Sequence, residues 1–120
     1  MKRLVVDIDN TMTIPGDDYA ALEPNQPVIE QLRAYKAQGF EIVLYSSRNM
    51  RTHENNLGKI TAKTVPTLVK WLETNGIPYD EIWMGKPWCG HDGFYIDDRA
   101  VRPNEFVEKT YEEIRTLLEM

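Results

Sequence analysis

Cysteine is nearly absent: Cys89 is the only one in 120 residues. That excludes an intramolecular disulfide, and it excludes a zinc site built from several thiolates. Long apolar runs are missing as well, since no stretch approaches the roughly 20 residues needed to span a bilayer. After Met-Lys-Arg the apolar run is only Leu4, Val5 and Val6 before Asp7, short of the about 7–15 apolar residues of a signal peptide. Positive charge is in deficit, with 14 Lys plus Arg against 19 Asp plus Glu and a formal net charge of −5. This weighs against nucleic acid as a partner held by bulk charge, while a local basic patch remains compatible. Internal repeats, low-complexity segments and linkers are also missing. The expectation is a soluble, cytoplasmic protein with no membrane partner, folded as a single domain over 1–120 that buries about two thirds of its unfolded surface.

What is present begins with Asp7-Ile8-Asp9-Asn10-Thr11, where two carboxylates two residues apart end an apolar run. Residues two apart in a strand share a face, so Asp7 and Asp9 start together before any turn re-aims them. Like charges held that close call for a nearby cation or a retained proton. The plain alternative is a strand-to-turn boundary that uses Asp because Asp and Asn form turns well.

Periodicity predicts strands over 3–8, 40–45, 81–84 and 94–96. Between the first two, Pro15-Gly16-Asp17-Asp18 reads as a turn in irregular text. A helix is expected from about Pro27, with Val28, Leu32 and Tyr35 on one face and Gly39 as its stop. Residues 46–61 read as polar text carrying Arg48, Arg51, His53 and Lys59. A second helix is expected over 64–74 on Val65, Leu68, Val69 and Leu72, with Asn75-Gly76 as its stop. Trp71, at the same spacing, reads as core. A last helix is expected from Asn104 as N-cap through Phe106, Val107, Tyr111, Ile114, Leu117 and Leu118. Strands alternating with helices predict an α/β fold, a Rossmann-like parallel sheet covered by helices on both faces in three layers.

Each predicted strand ends in polar chemistry: Asp7 and Asp9, then Ser46-Ser47-Arg48, then Gly85-Lys86-Pro87, then Asp97-Asp98-Arg99. The carboxyl ends of strands are where open α/β sheets gather ligand sites. This ordered set, DxDxT, strand-Ser, Gly-Lys-Pro and strand-Asp-Asp, resembles the haloacid dehalogenase (HAD) superfamily, most of whose members are phosphatases. The resemblance spans essentially the whole chain. It departs at Asn10, where the family usually has Gly; a tight turn there needs positive φ, and Asn tolerates that region better than other residues with a side chain.

The resemblance implies a magnesium-dependent phosphomonoester hydrolase. In it Asp7 is the nucleophile that forms an aspartyl-phosphate, and Asp9 is the general acid and then the base for water. Ser46 donates to a phosphoryl oxygen and Lys86 neutralises charge. Magnesium is held by the Asp7 carboxylate, the Asp9 backbone carbonyl and Asp97, with Asp98 directly or through water; hard oxygen ligands suit that ion.

Several residues have ordinary alternatives. Thr11 and Asn10 either meet substrate or bond the turn backbone. Ser47 is the alternative to Ser46 as phosphate donor. Asp98 either reaches metal or pairs with Arg99 or Arg102. Arg48, with Arg51, His53 and Lys59, either binds an anionic part of the substrate or belongs to a solvated loop, the reading the composition favours. Trp88, Cys89, His91 and Phe94 flank Lys86, as an entrance or as packing.

Many relatives insert a cap domain after the first or third strand. Here those intervals are about fourteen and about nine residues, so no cap is expected and the site should be open. Open members of the family act on macromolecules such as nucleic-acid ends or phosphoproteins, or form homo-oligomers whose neighbouring subunits close the site. Small relatives with similar motifs accompany bacterial capsule or surface polysaccharide biosynthesis, which points to a small phosphorylated metabolite such as a phosphosugar. A non-catalytic HAD-like interaction module is the competing class, although such modules usually lose the nucleophile or the lysine. A receiver domain is excluded by motif order, and a phosphomutase would need the cap.

Overall fold

The computed structural model describes residues 2–120. Its packing divides the chain into two contiguous units, one ending at Trp88 and the other Cys89–Met120.

The first unit carries a three-stranded parallel sheet. Strands β1 (Arg3–Asp7), β2 (Glu41–Ser46) and β3 (Glu81–Met84) lie in the order β1-β2-β3. The register sets Val5 beside Val43, Asp7 beside Tyr45 and Ser46 beside Met84, so all three carboxyl ends share one edge of the sheet. The central strand is the most deeply placed: Ile42 and Leu44 are fully buried, as expected for a strand with neighbours on both sides.

Helix α1 (Gln26–Ala37) has Pro27 in its first turn and buries Val28, Ile29, Leu32 and Tyr35, one side of an amphipathic helix. Gly39 follows at φ 93°, a left-handed stop that suits glycine. The predicted polar text of 46–61 holds turns and then helix α2 (Leu57–Lys63), capped by the Asn56 side chain accepting from the Lys59 N–H at 3.1 Å. Helix α3 (Val65–Thr74) follows directly and buries Leu68, Trp71 and Leu72. Trp71 is core as its spacing predicts, and its indole N–H donates to the Leu22 carbonyl at 2.7 Å, giving a buried polar atom its partner.

The second unit corrects two expectations. The strand predicted over 94–96 does not form: the second unit contains no strand at all, and Phe94, Tyr95 and Ile96 are 77%, 50% and 90% exposed. An apolar run becomes a strand only beside another strand that takes its backbone hydrogen bonds. The single C-terminal helix expected from Asn104 is two helices, α4 (Pro103–Glu108) and α5 (Tyr111–Leu117). The break is Thr110, which adopts an extended backbone as N-cap of α5. Its hydroxyl accepts from the Glu113 N–H at 3.2 Å while Glu113 accepts from the Thr110 N–H at 2.9 Å. That capping box competes successfully with helix continuation. Asn104 lies inside α4, and Arg102 occupies its N-cap position.

Among the described residues, no helix is long and apolar enough to cross a membrane.

Candidate active site

The site grows from the turn after β1. Asn10 has φ 63°, the positive value anticipated for a residue in the place of glycine. Its N–H donates to Thr13 Oγ1 at 2.9 Å, and the Met12 N–H donates to the Ile8 carbonyl at 2.8 Å. The chain thus reverses tightly while Ile8 and Met12 stay fully buried beneath it, anchoring the turn that bears both aspartates.

Asp7, the last residue of β1, is held from two sides. Thr11 Oγ1 donates to Asp7 Oδ2 at 2.8 Å, and Lys86 Nζ lies 3.4 Å from Asp7 Oδ1. Thr11 thereby takes a third course, bonding the carboxylate rather than turn backbone. Lys86 arrives from the end of β3, its own N–H donating to the Ser46 carbonyl at 3.1 Å. Gly85, at φ 92°, makes the bend, and a Cβ there would stand 2.8 Å from Leu57 Cδ2. The positive φ calls for glycine at that position, and the Leu57 tip would have to shift to admit a Cβ.

Asp9 is gripped by Arg48. Nη2 donates to Oδ1 at 2.7 Å and Nε donates to Oδ2 at 3.2 Å, the two-pronged geometry that favours arginine over lysine. The Arg48 side chain is only 1% exposed. Its guanidinium lies over the Tyr19 ring at 4.4 Å, a cation–π contact in a desolvated place. This corrects the solvated-loop reading of Arg48, which composition alone favoured. Its remaining Nη1 is buried without a hydrogen-bond partner, an orphan donor of a kind that folded proteins rarely tolerate without use. Burial, then the nearby Asp9 charge, push the Tyr19 hydroxyl above its ordinary pKa, with Arg48 opposing.

Ser46 ends β2, is 1% exposed, and its Oγ accepts from the Arg48 N–H at 2.9 Å. The hydroxyl proton is not consumed by that bond, so Ser46 keeps a donor. Ser47 lies in the following turn, its carbonyl accepting from the Met50 N–H. Arg51 stands over the Trp88 ring at 5.8 Å. The first unit therefore brings together Asp7, Asp9, Asn10, Thr11, Ser46, Arg48 and Lys86. Asp97 and Asp98 lie in the second unit, both exposed, with Asp97 Oδ1 accepting from the Arg99 N–H at 2.8 Å.

Sequence reasoning missed Tyr19 and Thr13. Nothing in the local pattern around either residue marks it, because each acts through a contact made by the folded turn.

Magnesium, which the family resemblance implies, does not find a finished site. Each of the two aspartates already faces a cationic side chain, and no group of three or more His, Cys, Asp or Glu side chains stands ready for a metal among the described residues. Even so, magnesium commonly takes one or two carboxylates and completes its shell with water and substrate phosphate, so Asp7 with the Asp9 backbone carbonyl would fit as its protein ligands.

Fold and site together define an α/β protein with an open parallel sheet whose paired aspartates and cations share the carboxyl edge. The crystal structure of MCSG target APC26283 from Vibrio cholerae matches with a TM-score of 0.97 and 57% identity, over 99% of this chain and 98% of that one. The chain belongs to the same family as that Vibrio protein. A chain in the structure of the Pnkp1/Rnl/Hen1 complex is similar in fold, with a TM-score of 0.51 and 23% identity, over 91% of this chain and 35% of its own length. No family profile and no curated protein matches the sequence.

Proposed function

We propose that the protein is a phosphomonoester hydrolase working through an aspartyl-phosphate on Asp7. The observation that carries this reading is the Asp7 carboxylate at the end of β1, with the Lys86 ammonium 3.4 Å from one oxygen and the Thr11 hydroxyl 2.8 Å from the other. A carboxylate attacking a phosphoryl dianion needs positive charge beside it and a fixed aim. Lys86 supplies the first and Thr11 the second.

An Asp7 oxygen forms the bond to phosphorus while the bond to the ester oxygen breaks. A protonated Asp9 gives its proton to the departing alkoxide. As carboxylate, Asp9 then takes a proton from water, whose oxygen attacks the aspartyl-phosphate, regenerating Asp7 and releasing inorganic phosphate. Arg48 orients Asp9 in the free site, and the acid step requires one prong of that grip to open, because a carboxyl O–H cannot face a guanidinium N–H; the Ser46 hydroxyl donates to a phosphoryl oxygen. Magnesium, held by the Asp7 carboxylate and the Asp9 backbone carbonyl, would offset negative charge on the phosphoryl oxygens.

The reading extends to a three-layer, HAD-like architecture without a cap, acting in the cytoplasm. An uncapped site bearing Lys86 is read as taking a small phosphorylated metabolite, in the class of phosphosugars used in surface polysaccharide synthesis. The test is phosphate release, with and without magnesium, from sugar phosphates, nucleotides, 3′-phosphorylated DNA and a phosphopeptide. Turnover that falls by at least about a thousandfold in Asp7→Asn is expected, since the replacement removes the nucleophile and little else. Equal turnover by Asp7→Asn, or no release from any ester by the folded native chain, overturns the proposal.

A further inference from the structure

Strand β1 pairs with β2 alone among the described residues, leaving its other edge without a ladder partner. Val5 on that strand is 62% exposed. Open sheet edges are templates for another strand, and natural proteins usually shorten, charge or cover them. The same chain holds an apolar run without a sheet: Phe94 and Ile96, at 77% and 90% exposed, lead into Asp97. The unit that holds this run is Cys89–Met120, and Ile114 is its only buried hydrophobic among the described residues. A piece below about 40 residues seldom sustains a core of its own and needs help from metals, disulfides or association.

Chain length decides whose edge the run completes. For Asp97 to stand at the Asp7 end, the run must lie parallel to β1, so the connection has to return from the carboxyl end of β3 to the amino end of the sheet. Parallel strands need a connection of a dozen or more residues, and only the nine residues 85–93 are available. Both ends of that connection are occupied. The Lys86 N–H is bonded to the Ser46 carbonyl, and Gly93 packs so closely on the Cys89 carbonyl that a Cβ would not fit. A second copy of the chain carries no such restraint.

We infer that two copies exchange residues 94–97, each run adding to the partner's β1 as a fourth parallel strand. With the partner's Asp97 level with Asp7, the partner's Ile96 falls beside Val6, the partner's Tyr95 beside Val5 and the partner's Phe94 beside Leu4. That is the in-step facing β1 already shows with β2, where Val5 sits beside Val43. Two-fold symmetry makes the exchange reciprocal and gives two equivalent sites per dimer. Each site then gains the partner's Asp97 as a third carboxylate beside Asp7 and Asp9. Resting on the phosphatase reading, this places the partner's Asp97 among the groups that would hold a divalent cation.

Sedimentation equilibrium on the native chain is expected to return twice the chain mass. Ile96→Lys and Phe94→Lys, each a change at an exposed residue of the single chain, are expected to return the single mass with an unchanged circular-dichroism spectrum. A monomeric native chain overturns the inference, as does a dimer that survives whichever of the two substitutions folds. Complementation then reads the site itself. Asp7→Asn and Asp97→Asn, refolded together, are expected to recover about a quarter of native phosphate release, because one site in half of the dimers is intact. A mixture no more active than Asp97→Asn alone overturns the exchange. If the native dimer and the two lysine variants behave as expected yet no ester is hydrolysed, the phosphatase reading fails and the exchanged strand stands.

Discussion

The two units carry the same device, an apolar run ending in aspartate, and treat it oppositely. In the first, Leu4, Val5 and Val6 become β1 because β2 takes their backbone hydrogen bonds. The aspartates that follow are then seized from far along the chain, by Lys86 and by Arg48. In the second, Phe94, Tyr95 and Ile96 remain outside any strand, and the Asp97 carboxylate accepts from the Arg99 N–H, two residues on. The contrast teaches that an acidic motif becomes a site only when a sheet fixes its backbone and distant cations fix its oxygens. Local turn bonds hold an aspartate only within its own segment.

The comparison breaks most severely if the platform under the first motif is removed. Leu44→Ala, at a fully buried position of the central strand, should cost about 3 kcal/mol in urea unfolding through lost burial and a cavity. A loss under about 1 kcal/mol would mean that the sheet is not the seat of stability. Arg48→Ala comes next, at about 2 kcal/mol, because it leaves a partly buried carboxylate without its two-pronged partner. It should also lower phosphate release, and Arg48→Lys should restore stability better than activity, since an ammonium cannot grip both oxygens of Asp9.

Gly85→Ala should cost about 1 kcal/mol, from positive φ and contact with Leu57. Its larger effect should fall on phosphate release, because the bend aims Lys86 at Asp7. Thermal unfolding compared with turnover separates the two.

The smallest effect concerns the remote end of β2. Asp80 accepts from Lys36 Nζ at 2.6 Å and from the Ile42 N–H at 2.8 Å, and these bonds, the lysine first, hold its carboxyl below the ordinary range. A depressed folded value means that this contribution is present above the unfolded carboxylate pKa and is lost as pH falls through the lower folded one. Asp80→Asn should therefore flatten the acid limb of a stability–pH curve and leave the site's activity unchanged. An unchanged acid limb would show that the bonds to Asp80 are matched by water.

Much of this was legible in the residues. The three strands and the helices α1 and α3 up to Met84 follow from short-range periodicity, while α2, within text read only as polar, did not show; the Gly39 stop and Pro27 start are properties of single residues. The positive φ of Asn10 was legible for the same reason. The division of the last helix at Thr110 was not, because Thr110 with Glu113 offered a capping box that the apolar spacing of Phe106, Val107, Tyr111 and Ile114 concealed. Arg48 looked like a loop cation because charge implies solvent on average; a bidentate carboxylate and the Tyr19 ring reverse that average.

By itself, then, the sequence determined the three strands and the helices α1 and α3 of the first unit to within a residue or two, though not α2, and that aspartate, serine and lysine stand at the ends of its strands, because these rest on local backbone preference and period. Only the tertiary structure decided that Arg48 is buried on Asp9, that Thr11 bonds Asp7, and that the run before Asp97 forms no strand. Those outcomes depend on which groups meet across dozens of residues. A hydrogen bond, an ion pair and a strand each need a partner that no single segment contains.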